Sequence, residues 1–282
     1  MEHAPTTAYE GAEVIRAGGP FVIRGTETKR DFGCPMVREG QTISTKNLSG
    51  IVEWSPEDLV AVVRAGTLIS ELQDELATRN QCLPLPPSSN GIERLTAGLT
   101  GTVGGLVSAN LPTRWDSATS GVRYWVLGMT IVRADGAIAK CGSKAVKNVA
   151  GYDAQKLFIG AWGTLGLITE VILRVKAITA NPDPPIRCEW DGSAPLMVCR
   201  TPLSEGTVFA AGVPNSVLGT QTGTIWAPAP KTIAPPERGW AIFAGHGRHN
   251  FGGFGPNEDL MIKVKDQLDP DCKLNPGRMG IF

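Results

Sequence analysis

Lys147-Asn148-Val149-Ala150-Gly151-Tyr152-Asp153 and, shortly after it, Gly163-Thr164-Leu165-Gly166-Leu167-Ile168-Thr169-Glu170 decide how this chain is read. Together they join a tight glycine turn to a β-branched strand. A second glycine turn, Gly101-Thr102-Val103-Gly104-Gly105, lies upstream by the length of a few strands. Each glycine costs backbone entropy on folding and adds nothing to an apolar core. Glycines at this density mark places where the backbone turns sharply or comes close to a bound group. Neither turn has the Gly-x-Gly-x-x-Gly spacing of a dinucleotide fold or the Gly-Lys-Ser/Thr of a nucleotide P-loop, which excludes Rossmann and kinase readings.

Outward from these turns the chain alternates strand and helix signals. Phe21 to Arg24 reads as a strand running into a polar loop bounded by Gly25 and Gly33. Leu59 to Ala65 is β-branched and ends at Gly66. Thr67 then suits an N-cap for a helix over Leu68 to Arg79, with Leu68, Ile69, Leu72 and Leu76 on one face. Val126 to Val132 and Ala137 to Lys140 flank Asp135-Gly136, a two-residue hairpin signal. Ile168 to Ile178 reads as one strand with Val171, Leu173 and Val175 on a common face. Asn181-Pro182-Asp183-Pro184-Pro185 then suits neither a helix nor a central strand, and the domain boundary is placed there. Beyond it, Leu196 to Arg200, Val217 to Trp226 and Trp240 to Ala244 read as strands, and Glu258 to Leu268 as a helix.

Composition bounds the function. With 42% hydrophobic and 19% charged residues over 282 positions, the chain suits a soluble globular protein. Lys plus Arg and Asp plus Glu both number 27, which leaves no electrostatic footprint for nucleic acid. The six cysteines form no Cys-x-x-Cys pair, which argues against a zinc or iron–sulfur site on this chain and for reduced thiols. No run of about 18 apolar residues and no leader-like N-terminus is present, so no direct membrane insertion is expected. The expected location is cytoplasmic, peripheral at the inner membrane only through partners.

Residues 49–177, with Asp269-Pro270 and Leu274-Asn275-Pro276-Gly277-Arg278-Met279, resemble the flavin domain of the vanillyl-alcohol oxidase type. Within that superfamily they are most similar to the FAD-binding subunits of bacterial glycolate oxidase and related D-lactate dehydrogenases. The resemblance implies an α+β fold: a PCMH-type FAD-binding domain of two α/β subdomains over residues 1–178, and a reduced α+β cap over 179–282. FAD is the implied cofactor. Arg24, Gly25, Thr26 and Gly33 would belong to the loop embracing its pyrophosphate through inward backbone N–H groups. This loop departs from the family, whose glycine cluster is thinned here to Gly25 and Gly33. Gly101, Thr102, Val103, Gly104 and Gly105, with Ser108, Ala109 and Asn110, would line the flavin and its phosphates at a helix start. Gly163, Gly166 and Ile168 would pass along the adenosine and ring, Gly121 would sit beside the isoalloxazine, and Pro87 would shape the approach to the second glycine turn. The Arg24–Gly33 loop has no histidine, so the flavin is expected to be non-covalent. Lys147 and Asp153 read as structural partners rather than chemical actors.

Oxidising a 2-hydroxy acid at a flavin also requires a base for the hydroxyl proton and a cation for the carboxylate. His246 and His249 are the base candidates and Arg248 a carboxylate clamp. The several histidines and carboxylate that surround a divalent metal in the larger catalytic relatives are not recognisable, and no metal is expected. The short C-terminal part points to the smaller glycolate oxidase flavin subunit. Implied partners are a larger FAD-binding catalytic subunit, an iron–sulfur subunit and a small 2-hydroxy acid. Two alternatives stay open: an FAD-poor scaffold subunit of such a complex, and a stand-alone oxidase of a sugar acid or lactone.

Overall fold

In a computed structural model, residues 1–30, 32–85, 101–111, 121–144, 152–178, 196–228, 236–244, 251–252 and 257–281 are described. The N-terminal part begins with a small parallel sheet of three strands, β1 (Glu2–His3), β2 (Phe21–Arg24) and β3 (Gln41–Ser44), in the order β1-β3-β2. Helix α1 (Ala8–Arg16) starts at Thr7, whose hydroxyl accepts from the Glu10 N–H, while the Glu10 carboxylate accepts from Thr6. Satisfying the first-turn donors this way fixes the helix start. Ala12 and Ile15 on its buried face pack with Phe21, Ile43, Val132, Leu167 and Leu274.

A second sheet is antiparallel throughout. Of the strands β4 (Ile51–Ser55), β5 (Val60–Arg64), β6 (Gln81–Cys82), β7 (Val126–Val132), β8 (Ile138–Gly142) and β9 (Leu167–Arg174), all but β6 form it, in the order β4-β5-β9-β7-β8. β6 pairs instead with β10 (Lys176–Ala177). Helices α2 (Ile69–Ala77), α3 (Val103–Ala109) and α4 (Val122–Trp125) bring Leu72, Leu106 and the fully buried Trp125 onto Val63, Met129, Val171 and Leu173.

The C-terminal strands β11 (Leu196–Arg200), β12 (Val217–Gly219), β13 (Thr224–Pro228), β14 (Trp240–Ala244) and β15 (Phe251–Gly252) form an antiparallel sheet in the order β12-β13-β11-β14-β15. Period-2 alternation splits β11 between two cores. Met197 and Cys199 pack with Phe209 of α5 (Leu203–Ala211), and Leu196 and Val198 pack with Phe32, Leu111, Trp162 and Met279. The chain then forms α6 (Glu258–Leu268) and returns to its beginning, where Leu274 bridges Phe21. Residues 273–278 thus bond to β2 and the loop after it.

Several local expectations change. Thr67 does not cap α2: its hydroxyl bonds the Gly50 N–H and carbonyl, and the first N–H of the helix, from Ile69, is taken by the Gly101 carbonyl. The hairpin loop has three residues, because Arg133 pairs with Ala137 and the Gly136 N–H closes a turn onto the Arg133 carbonyl. Ile168 to Ile178 is two strands, β9 ending at Arg174 and β10 at Lys176–Ala177, although the Val175 N–H still reaches the Leu59 carbonyl opposite it in the β5 register. Val217 to Trp226 is two strands, β12 and β13, joined by a turn that the Gly223 N–H closes onto Gly219. Cys34, Cys82, Cys141, Cys199 and Cys272 are free thiols. Among the described residues, no helix is long and apolar enough to cross a membrane.

Candidate functional site

The end of β2, the loop after it, α3, the Trp162–Gly163 turn and the 275–278 loop enclose a cavity of about 590 Å³. That lies within the range of about 300–1,000 Å³ typical of small-molecule and cofactor sites. Of the residues singled out in the sequence, Arg24, Gly25, Thr26, Gly33, Thr102, Gly104, Gly105, Ser108, Ala109, Gly163, Gly166 and Ile168 line it. The others are placed differently. Gly101 supplies the carbonyl at the start of α2, and Val103 is core. Asn110 is the left-handed C-cap of α3, and Gly121 precedes α4. Pro87, Arg114, Trp115, Lys147, His246, Arg248 and His249 lie outside the described residues.

The two ends of the chain meet at this cavity. Asn275 accepts from the Ile23 N–H at 2.8 Å and donates to the Trp162 carbonyl at 2.8 Å, tying β2 to the Trp162–Gly163 turn. Arg278 donates to the carbonyls of Cys34, Lys29 and Arg30, and its guanidinium lies 5.3 Å from the Trp162 ring centroid. One C-terminal loop therefore fastens both walls. Glu27, Trp162 and Asn275 all line the cavity at positive φ, 57°, 53° and 43°. Backbone strain of this kind collects at sites where surrounding structure over-determines it.

The start of α3 does not have the role expected of it. Its N–H groups are occupied within the protein: Val103 donates to Thr67, Gly104 to Ala65, and Gly105 to the Thr102 hydroxyl. No donor remains there for phosphate. The loop after β2 is the opposite case. Among the described residues, the N–H groups of Gly25, Thr26, Glu27, Thr28 and Lys29 have no acceptor. Successive free N–H groups around a left-handed residue, here Glu27, form an anion-binding nest. Gly25 has to be glycine for this loop to close, because a Cβ there would lie 2.7 Å from the Thr102 hydroxyl.

Lys29 was not anticipated from the sequence. Its side chain is only 8% exposed, lines the cavity, and its Nζ has no hydrogen-bond partner. Burial pulls its ammonium down to about 8. Between that value and the ordinary 10.5 the unfolded chain binds more protons than the native one, so this group makes stability rise with pH. Below about pH 8 both states are protonated and the burial cost is present in full. The unfolding free energy of wild type minus that of Lys29→Met is therefore expected to climb from about pH 8 to about 10.5 in urea titrations. A flat difference would show that the ammonium is not desolvated.

Among the described residues the cavity thus offers four cationic side chains, Arg24, Lys29, Arg30 and Arg278, against one carboxylate, Glu27, which pairs with Arg24 at 3.1 Å. The chain as a whole has a formal charge of zero, so this is a local concentration suited to a polyanionic ligand. Among the described residues, no group of three or more His, Cys, Asp or Glu could hold a metal.

Fold and cavity together suit a dinucleotide-sized, polyanionic ligand. Residues 4–142 match the family model described as FAD binding domain. The chain is 35% identical over 156 residues to glycolate oxidase subunit GlcE of Escherichia coli (strain K12), covering 55% of this chain and 42% of that one. It is 31% identical over 161 residues to glycolate oxidase subunit GlcD of Bacillus subtilis (strain 168), covering 55% and 32%. A D-lactate dehydrogenase of Archaeoglobus fulgidus is 30% identical over 175 residues, covering 61% and 37%. The chain thus spans less than half the length of these relatives. A solved structure of alkyldihydroxyacetonephosphate synthase shares the fold at a TM-score of 0.50 and 15% identity, over 74% of this chain and 35% of that one.

The residues present fit FAD. A dinucleotide with a pyrophosphate suits the free N–H groups after β2 and the unpartnered Lys29 ammonium. Its apolar rings suit the Val22, Ile168, Met36 and Ala109 surfaces of the same cavity.

Proposed function

We propose that this chain is an FAD-binding subunit of a glycolate oxidase-type complex that oxidises glycolate or a similar 2-hydroxy acid. A larger FAD-binding subunit and an iron–sulfur subunit would be its partners. The observation that carries this is the cationic cavity, walled by the matched residues and the Trp162–Ile168 segment and closed by the Asn275–Arg278 loop. The likeness to two proteins named as glycolate oxidase subunits supports the substrate class and the complex. A bound flavin would supply the two-electron acceptor. The Gly25–Lys29 loop would hold its phosphates without a covalent link, and Gly163 and Gly166 would let the backbone lie close to it. His246 or His249 would take the hydroxyl proton, with Arg248 orienting the carboxylate. On this reading the protein works in the cytoplasm and reaches the inner membrane only through its partners.

A second reading is a subunit that binds FAD but oxidises nothing by itself, supported by the likeness to proteins named as subunits of an oxidase rather than as whole enzymes. The visible spectrum of the purified chain, taken before and after anaerobic glycolate or D-lactate, separates the two. A flavin band that bleaches is the expected result. A band that persists supports the partner-dependent subunit, and a protein that stays colourless with added FAD overturns the flavin assignment.

A further inference from the structure

We infer that Lys29 is a cofactor-binding residue, the buried cation that recognises a phosphate of the dinucleotide and makes this chain prefer FAD to phosphate-free riboflavin. The inference rests on the flavin reading above.

A charged group left unpaired in a protein interior is expensive, and proteins pair or neutralise nearly all of them. Arg24 has Glu27, and Arg278 has three carbonyls. Lys29 differs from the exposed Arg30 and the half-buried Arg24 and Arg278: it is nearly as buried as the core, yet its Nζ touches no acceptor. Its own carbonyl is held by Arg278 and also accepts from the Phe32 N–H, so the backbone that carries it is fixed on both sides. The side chain is thus anchored beside the five free N–H groups of residues 25–29, with its charge unspent. Only a ligand anion completes this arrangement. An ammonium serves as a point charge for phosphate, without the bidentate geometry that a guanidinium would impose. The thinned glycines of the loop fit this as well. Where Glu27 occupies a left-handed position and brings a carboxylate to the cavity, an added cation offsets the repulsion of a pyrophosphate.

The role makes a prediction that a structural lysine would not. Removing a cation kept unpaired for a ligand should stabilise the empty protein while weakening ligand binding. The test is a titration of the purified full chain, stripped of flavin, with FAD, ADP and riboflavin, for wild type, Lys29→Met and Lys29→Arg, alongside thermal melts. Lys29→Met should melt higher than wild type without flavin. It should bind FAD and ADP about 10- to 100-fold more weakly, the worth of one charge-assisted hydrogen bond, and riboflavin equally well. Lys29→Arg should recover part of the FAD affinity. A folded Lys29→Met that binds FAD as wild type does would overturn the inference and leave the flavin reading standing. So would equal weakening for FAD and riboflavin, which would mark a general packing defect. A wild type that binds none of the three overturns both.

Discussion

Replacing Lys265 with methionine is expected to remove about 3–5 kcal/mol of stability, the cost of breaking a buried ion pair from one side. Lys265 and Asp269 are both 0% exposed and lie one helical turn apart at the end of α6. The ammonium sits 2.5 Å from the Asp269 carboxylate, 2.7 Å from the Thr164 carbonyl and 3.3 Å from the Leu274 carbonyl. Asp269 in turn accepts from the N–H groups of Lys273 and Leu274. Methionine fills similar space but leaves a buried carboxylate without its cation and two carbonyls short of a donor. The loss should appear as a lower urea midpoint at unchanged slope. It should also reach the cavity, because Leu274 is followed directly by Asn275, which ties Ile23 to Trp162. A ΔG within about 1 kcal/mol of wild type would mean the pair is no more than a surface-like contact.

Gly163→Val should abolish flavin binding. Gly163 has φ +72, and a Cβ there would lie 2.5 Å from the Asn275 amide nitrogen. A β-branched residue at that φ adds strain of order 1–3 kcal/mol. The clash also displaces the Asn275 side chain from two hydrogen bonds, each worth about 1 kcal/mol. Both effects act on the turn that walls the cavity, so FAD affinity should fall together with stability. Gly50→Ala is the control. Gly50 is also at positive φ, +102, but has nothing within 4 Å of the added carbon and does not line the cavity. It should lose some stability and keep its flavin. If Gly163→Val binds FAD as tightly as wild type, the turn does not form part of the cofactor site.

What could be read from the sequence was local in origin. The strands at Phe21–Arg24 and Leu196–Arg200 and the helix at Glu258–Leu268 were legible because their periodicity lies within a few residues. The glycine turns were legible as places of close backbone approach, and Gly104, Gly105, Gly163 and Gly166 do line the cavity. Caps and turns read less well. Thr67 has the right chemistry to cap α2, but Gly50, 17 residues earlier, takes its hydroxyl. A competing partner of that kind is invisible to spacing rules.

Sequence by itself determined where the backbone turns sharply or comes close to a bound group, because glycines and β-branched residues constrain backbone geometry locally, and it pointed to the class of domain through the resemblance that these motifs carry. Only the tertiary structure decided which groups meet a ligand. Asn275 and Arg278 reach Ile23 and Lys29 across about 250 residues of chain, 252 and 249 respectively. The N–H groups at the start of α3 are closed by Thr67 and Ala65, while those after Gly25 stay open. Lys29 looks like any loop lysine until folding buries it without a partner. Whether a donor or a charge is available depends on which distant acceptor folding brings to it, and that is set by packing rather than by neighbours in sequence.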